Sequence, residues 1–321
     1  MTPSDSIPLS VVILTCNRKH MLLELLEDLR KQTLYGQFEI VVVDNHSEDG
    51  TYEVIVASYP EVRCVRLSEN KGCGGRNAGI QAARGEIIVT LDDDVVFARP
   101  DEVDRVLTAF EKNTDADVIT FKILYHDTKE LIPFNWFHPR PFEEYSETSF
   151  ETDYISEGAV AFRKHVFSAV GYYPEDFFIS HEGYDLAYRI LDRSFKIIYS
   201  PDIEVCHKIS RMQRTSWRNS YYNTRNYIWL IVKYYPAEWI FQHLLYRLGT
   251  TFLFAFRRGQ PIWYLRALRD AILGLPAQMR KRRVLGKGTT ARLREIRRYA
   301  PGLGYKIVNF VERTGAINRR L

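Results

Sequence analysis

Between Leu9 and Leu124 the sequence alternates between short apolar runs and stretches with helical periodicity. The apolar runs are LSVVIL, EIVVV, VRCVRL, EIIVTL and DVITFKIL, and helix-like segments such as 19–32, 51–58 and 101–113 separate them. Continuous Val- and Ile-rich strands separated by helices are typical of βαβ units, whose mostly parallel sheet is covered on both faces. The pattern therefore predicts an α/β, Rossmann-like fold, in which helices flank a mostly parallel sheet.

The charge of the chain is segregated along its length. The 321 residues include 44 Lys/Arg and 40 Asp/Glu, but residues 257–321 hold 17 of the basic and only 3 of the acidic ones. A basic segment beside an acidic body suits a polyanionic partner such as an anionic membrane surface or nucleic acid. Because no recognisable nucleic-acid-binding motif accompanies the basic residues, we expect no nucleic-acid partner.

The stretch 227–256 is rich in Trp, Tyr, Phe and Leu, but polar residues such as Lys233 and Glu238 interrupt it. No apolar run reaches 18 residues, so a membrane-spanning helix is not expected. An aromatic stretch followed by an arginine-rich one suits helices that lie at a membrane interface. The alternative is a solvated helical domain whose aromatic side chains pack on the body.

The four cysteines lie far apart without a CxxC pair, which signals neither a zinc knuckle nor a disulfide framework. The N-terminal residues lack a basic region and a cleavage site, so they resemble the approach to a strand more than a secretion signal. These features predict a cytoplasmic protein, and the sequence is compatible with an oligomer.

Three consecutive carboxylates, 92–94, directly follow the predicted strand EIIVTL. Ligands of parallel sheets bind beyond the carboxyl ends of the strands. Three acids at that edge repel one another unless a cation compensates. Oxygen ligands favour Mg²⁺ or Mn²⁺, which typically arrives with a diphosphate. The alternative interpretation is an acidic turn or helix cap.

Two further segments follow predicted strands. Asp44 ends EIVVV, where a carboxylate can accept hydrogen bonds from a nucleotide's base or sugar, or can cap the next helix. The glycine-dense stretch NKGCGGRNAGI fits neither the P-loop nor the GxGxxG spacing. It is either a flexible turn that opens a helix or a loop whose backbone and Arg76 approach a phosphate.

A predicted helix in FFISHEGYDLAYRI places Glu182 and Asp185 on one face. A partly buried carboxylate in such a position can serve as a general base. The alternative is a surface pair of Asp185 with Arg189. His207 follows another strand-like run, and a lone histidine is more often structural than a ligand.

Together these segments resemble family 2 glycosyltransferases, in particular a rhamnosyltransferase-like bacterial subgroup. The resemblance covers about residues 8–235 and rests on VVILTCNRKH, VVVDNHSEDGT, NKGCGGRNAGI, LDDDV, GAVAFRK, FFISHEGYDLAYR and the histidine of VCHKIS, in that order. It implies a GT-A fold, a nucleotide-diphosphate sugar donor with UDP or dTDP, a divalent metal (Mg²⁺ or Mn²⁺) and inverting transfer. By this resemblance the nucleotide-sugar-binding residues are Thr15, Arg18, Asp44, Arg76, Asp92 and Asp93, and the metal ligands are Asp94 and His207.

One position departs from the family pattern. The family's helix usually carries Glu-Asp-x-Asp with the second acid as the base, and Gly183 stands at that second position here. The base is then Glu182 or Asp185, or activity is altered or absent. We favour Glu182, because Arg189 lies one turn from Asp185.

The sequence thus predicts a GT-A catalytic domain over 1–215 and a helical, aromatic and basic extension over 216–321. The expected function is inverting transfer of a hexosyl or deoxyhexosyl group to a glycan or lipid-linked acceptor, in cell-envelope or polysaccharide synthesis. The expected location is the cytoplasmic face of the plasma membrane, where the protein is peripheral. The alternative is a catalytically inactive GT-A-fold protein that binds nucleotide, glycan or membrane.

Overall fold

The computed structural model describes residues 7–132, 136–208 and 217–300. The predicted domain boundary at 215/216 and the basic residues after 300 lie outside this part of the chain. The strands are β1 (Leu9–Thr15), β2 (Glu39–Asp44), β3 (Val62–Arg66), β4 (Ile87–Asp92), β5 (Val95–Phe97), β6 (Val118–Tyr125), β7 (Phe150–Glu151), β8 (Ala159–Arg163) and β9 (Ile197–His207). The helices are α1 (Lys19–Leu29), α2 (Thr51–Ser58), α3 (Arg76–Ala82), α4 (Glu102–Lys112), α5 (Phe142–Tyr145), α6 (His165–Val170), α7 (Glu182–Asp192), α8 (Trp217–Tyr234), α9 (Ala237–Arg257), α10 (Pro261–Arg280) and α11 (Lys287–Ile296).

The described strands form one sheet in the order β3-β2-β1-β4-β8-β6-β9-β5, and β7 pairs with β9. The four strands β3, β2, β1 and β4 are parallel, as the alternation of strands and helices predicts. Beyond β4 the sheet is mixed, because β8 is antiparallel to both β4 and β6, whereas β6 and β9 are parallel. The predicted α/β fold is confirmed, with its parallel part confined to the N-terminal half and to the β6–β9 pair.

The direction of β8 decides which residues reach the ligand edge of the sheet, where the parallel strands β1, β2 and β4 have their carboxyl ends. Leu91 near the end of β4 pairs with Ala159, the first residue of β8. The chain that enters β8 therefore lies at the carboxyl edge of β1, β2 and β4. A parallel β8 would have placed it at the opposite edge.

The side chains of β1 show how the sheet is covered on both faces. Leu9, Val11 and Ile13 are fully buried in a cluster with α1, α2 and α4. Val12, equally buried, belongs to a second cluster with α3, α6, α7 and α8. This alternation is the period of two expected of a strand, and it fixes which helices stand over the ligand edge.

Helix α8, the first of the C-terminal helices, packs against the sheet and the helices that flank it. Trp229 and Tyr234 of α8 and Tyr235 directly after it are buried in the second cluster, and the Tyr188 and Tyr235 hydroxyls lie 2.9 Å apart. Helix α10 crosses α8, where Trp229 Nε1 donates to the Ala271 carbonyl at 3.0 Å. Among the described residues, no helix is both long and apolar enough to cross a membrane.

Candidate active site

Three of the predicted site residues lie side by side because three parallel strands end together. Thr15 and Asp44, the last residues of β1 and β2, are register partners, and Asp92 pairs with Leu14 one residue earlier. Parallel strands open their carboxyl ends to a common crevice. The structure thus brings these side chains together at one edge.

Arg18 is the cation that compensates two acids of the triplet, Asp93 and Asp94. Its Nη1 donates to Asp93 Oδ1 at 2.8 Å and to Asp94 Oδ2 at 2.7 Å, and Thr15 Oγ1 donates to Asp93 Oδ2 at 2.8 Å. Burial raises the pKa of Asp93 to about 6, although Arg18 and Thr15 oppose the shift. Asp93 therefore joins β1, the loop before α1 and the acidic turn.

Asp94 and His207 meet at the far side of this turn. Because β5 is antiparallel to β9, Val95 pairs with His207, and the histidine Nε2 lies 3.5 Å from Asp94 Oδ1. Among the described residues, no group of three or more His, Cys, Asp or Glu side chains is arranged to hold a metal. Two protein donors suit Mg²⁺ or Mn²⁺ that takes its other ligands from diphosphate and water.

The two carboxylate oxygens of Asp44 match its two predicted roles, stabilising a turn and accepting a hydrogen bond from a ligand. Its Oδ1 accepts from the Ser47 amide at 2.9 Å, which stabilises the turn after β2. Its Oδ2 is buried without a hydrogen-bond partner among the described residues, and the half-exposed Arg66 lies over it, with Nε at 3.6 Å. A buried acceptor of this kind is costly unless a ligand satisfies it.

The glycine-rich loop is held in place. Asn45 Nδ2 donates to the Gly72 carbonyl at 3.1 Å, and the Lys71 amide donates to Asn45 Oδ1 at 2.9 Å. Gly72 has φ +56°, and a Cβ there would lie 2.1 Å from the Phe178 carbonyl oxygen. The loop leads into α3, whose first residue, Arg76, is buried and forms an ion pair with Asp92.

Asp185 is a structural ion-pair partner. The predicted pair with Arg189 is present, with Nε 3.0 Å from Asp185 Oδ1. The other oxygen accepts from Tyr234 Oη at 3.0 Å and from Lys233 Nζ, both on α8. These donors tie the buried carboxylate to the interface between α7 and α8. Glu182, the other acid predicted as the base, lies in the first turn of α7.

The sequence does not predict Glu157 as a site residue. It lies between α7 and the acidic edge, which is the edge of the sheet that carries Asp44 and the triplet 92–94. Its Oε1 accepts from the Gly183 amide at 2.7 Å. Burial and the neighbouring Glu182 carboxylate raise the pKa of Glu157. The signal in the sequence was an acid directly before the strand GAVAFR, but its location depends on the reversed direction of β8.

The chain is similar to known glycosyltransferases. The family model described as Glycosyl transferase family 2 matches residues 10–171. An uncharacterised glycosyltransferase, YwdF of Bacillus subtilis, is 28% identical over 179 residues, which are 52% of this chain and 62% of that protein. The O-antigen chain rhamnosyltransferase WbaN of Salmonella anatum is 23% identical over 198 residues, 58% of this chain and 61% of that protein. The chain thus spans about six tenths of the length of these two relatives.

A solved structure extends the similarity of fold to the C-terminal helices. The mannosyltransferase PcManGT from Pyrobaculum calidifontis, in complex with GDP-Man and Mn²⁺, has a TM-score of 0.54 at 17% identity. The match covers 98% of this chain and 84% of that protein. The fold is the predicted GT-A fold. The chain belongs to glycosyl transferase family 2.

Proposed function

We propose that the protein is a glycosyltransferase that moves a sugar from a nucleotide-diphosphate sugar to an acceptor hydroxyl with inversion. The observation that carries the proposal is the convergence of Asp44, Asp92 and Asp94 with His207 at one edge of the sheet. The names of the relatives support synthesis of a polysaccharide or cell-envelope glycan, with a deoxyhexosyl or hexosyl donor.

The donor nucleotide is assigned to the edge formed by β1 and β2. The buried Oδ2 of Asp44 can accept a hydrogen bond from the base or ribose once Arg66 turns aside. Thr15 lies beside it and Asp92 one strand further, nearest the ribose. Arg76 and Arg18 stand at the two ends of the acidic turn, where a diphosphate binds.

The residues at the turn fit a divalent cation. Asp94 and His207 would hold Mg²⁺ or Mn²⁺, which supplies positive charge where the leaving diphosphate gains negative charge. Arg18 would remain bonded to Asp93 and Asp94 and keep both carboxylates oriented. A fixed charge of this kind stabilises the transition state more than the ground state.

The transfer is a single in-line displacement. The acceptor oxygen forms a bond to the anomeric carbon while the bond from that carbon to the diphosphate oxygen breaks. A carboxylate beside the first turn of α7 accepts the hydroxyl proton. Asp185 is bonded to Arg189, Lys233 and Tyr234, so we assign the step to the acids that lie near Gly183 at the start of the helix.

A transfer assay across a panel of UDP-, dTDP- and GDP-sugars with Mn²⁺ tests this function. We expect one donor to be consumed with release of its nucleoside diphosphate, and chelation of the metal to stop the reaction. Thermal stabilisation by nucleoside diphosphates without consumption of any donor would contradict the proposal. That result would favour a catalytically inactive nucleotide-binding protein.

We infer that helices α9 and α10 bind an anionic bilayer. On α9, Phe241, Leu245, Phe252 and Phe256 are 76%, 64%, 47% and 63% exposed, and their spacing places them on one face. On α10, exposed apolar side chains alternate with exposed basic ones: Ile262, Leu265, Ile272 and Leu273 with Arg266 and Arg269. Apolar insertion and attraction to anionic lipid then act together.

Co-sedimentation with phosphatidylglycerol-containing vesicles tests this surface. We expect the double variant Phe241→Ser/Phe256→Ser to lose binding, and pure phosphatidylcholine to bind the wild type weakly. Val56→Ser is the matched control, since Val56 on α2 is 56% exposed and lies outside α9 and α10. Equal binding by the wild type and the double variant would contradict the assignment. Concentration-dependent dimerisation lost in the double variant would assign the face to a second copy of the chain.

A further inference from the structure

The carboxylate of Glu157 occupies the space into which a side chain at position 183 would extend. A Cβ built on Gly183 would lie 2.3 Å from Glu157 Oε1 and 2.5 Å from the Ile155 carbonyl oxygen. Both distances are well inside van der Waals contact. The glycine in the first turn of α7 is therefore matched to an acid that arrives from another part of the chain.

The segment that carries Glu157 also touches the acidic edge. Thr90 Oγ1 in β4 donates to the Glu157 carbonyl at 2.8 Å. A Cβ on the next residue, Gly158, would lie 2.6 Å from the carboxylate of Asp92. This close approach fixes the segment against the end of β4. Glu157 thus stands between Asp92 and the first turn of α7.

Accessibility separates Glu157 from the other acids of this region. Asp185 is 1% exposed and Glu182 is 4% exposed, whereas Glu157 is partly exposed. An acceptor hydroxyl has to come within about 3 Å of the group that takes its proton. Of the three residues, Glu157 is the most exposed.

The surroundings of Glu157 also suit proton transfer. The Gly183 amide donates to one of its oxygens and orients the group. Burial, together with repulsion from Glu182, raises the pKa of Glu157, which makes its carboxylate a stronger base than that of an exposed glutamate. Arg76 acts in the opposite direction and limits the shift.

We propose that Glu157 is the proton acceptor of the transfer and that Glu182 is a positioning residue beside it. This inference rests on the proposed glycosyltransferase function. The acceptor O–H bond breaks as the new bond to the anomeric carbon forms, and the proton moves to a Glu157 carboxylate oxygen. The base is then supplied from the entry to β8, while the helix contributes an amide at Gly183.

The competing explanation is that Glu157 only caps the N-terminus of α7. Glu157→Gln separates the two roles, because its amide oxygen can still accept from the Gly183 amide but the side chain cannot take a proton. We expect kcat to fall by at least about 100-fold, with the donor Kd and the melting temperature unchanged. Glu86→Gln is the matched control, since Glu86 is exposed and lies just before β4, at the end away from the site.

A second variant keeps the test informative if the first one folds poorly. Glu157→Ala leaves a gap that a small acid can enter, so added formate should restore part of its turnover, and chloride should not. Turnover of Glu157→Gln within a few-fold of the wild type would overturn the inference and leave the capping role. Loss of turnover in Glu182→Gln but not in Glu157→Gln would assign the base to Glu182. A wild type that transfers no sugar would instead defeat the proposed function itself, and this inference with it.

Discussion

Replacing Asp185 by asparagine is expected to destabilise the fold rather than to remove a step of the reaction. The carboxylate accepts hydrogen bonds from Arg189, Lys233 and Tyr234. Arg189 has other acceptors, since it also donates to the carbonyls of Val170 and Tyr172. Lys233 is affected most, because it is buried and its ammonium would lose the carboxylate with which it pairs.

The size of the effect follows from that buried ammonium. Removing one partner of a buried ion pair costs about 3–5 kcal/mol. The asparagine oxygen can still accept one hydrogen bond from Lys233, which returns roughly 1–2 kcal/mol. The rings of Phe177 and Tyr234, 5.4 and 5.1 Å from Nζ, are present before and after the change. The net loss is about 1–4 kcal/mol, or roughly 2–6 °C in melting temperature for a chain of 321 residues.

Thermal unfolding of three variants and the wild type checks this reasoning. Asp185→Asn should melt well below the wild type, and Asp185→Asn/Lys233→Met should recover much of the loss, because the double change removes the uncompensated charge. Asp104→Asn on α4 is the control, since Asp104 is exposed and its replacement should cost less than about 0.5 kcal/mol. An Asp185→Asn protein that melts with the wild type but transfers no sugar would refute the argument and make Asp185 the base.

Three other predictions concern the donor site and acid stability. Asp94→Ala should abolish turnover while the melting temperature falls little, and near wild-type transfer would contradict the assignment of Asp94 as a metal ligand. Asp44→Ala should weaken donor binding by calorimetry, whereas unchanged affinity would place the nucleotide elsewhere. Burial lowers the pKa of His138 to about 3, so the stability that it contributes above its unfolded pKa of about 6.5 is lost as pH falls. Urea unfolding of His138→Gln should therefore depend less on pH between about 6.5 and 3, and an unchanged dependence would refute this.

The sequence predicts the strands and the residues at their ends because both depend on local patterns. Apolar runs such as Leu9–Thr15 form strands whose two faces are buried, and residues after parallel strands must meet at one edge. The i,i+4 pair of Asp185 with Arg189 is local in the same sense. These features require no knowledge of which distant segments touch.

The rest of the site depends on contacts between distant segments. Arg18 reaches Asp94 across 76 residues of sequence, and Lys233 reaches Asp185 across 48. A triplet of acids demands compensation, but its pattern does not say whether an arginine or a metal provides it. The pairing of Glu157 with Gly183 is also invisible locally, because it follows from β8 running antiparallel to β4.

The structure separates the basic residues of the C-terminal region into those that form ion pairs with the acidic body and those that are exposed. Part of the basic excess is neutralised against the acidic body, since Arg292 of α11 donates to Glu151 at 2.6 Å and Arg297 pairs with Asp153. On α10, Arg266 and Arg269 are exposed instead, although Arg269 pairs with Asp270 of the same helix. A lipid surface would therefore meet α9 and α10, and the electrostatic attraction is smaller than the whole tail's charge suggests.

These ion pairs also connect the C-terminal helix to the reaction. Glu151 pairs with Arg292 of α11 and Asp153 with Arg297 directly after it, and both acids precede Glu157 in the segment that enters β8. Since Ile155 and Glu157 enclose the backbone of Gly183, any loosening of this segment moves the proposed base relative to α7. A chain truncated at 257 would lose α11 together with α10, and with them the ion pairs to Glu151 and Asp153. Its failure to bind vesicles or to transfer sugar could therefore result from a change in the structure of the catalytic domain. Point variants on the exposed faces of α9 and α10 leave these contacts intact, which is why they separate membrane binding from catalysis.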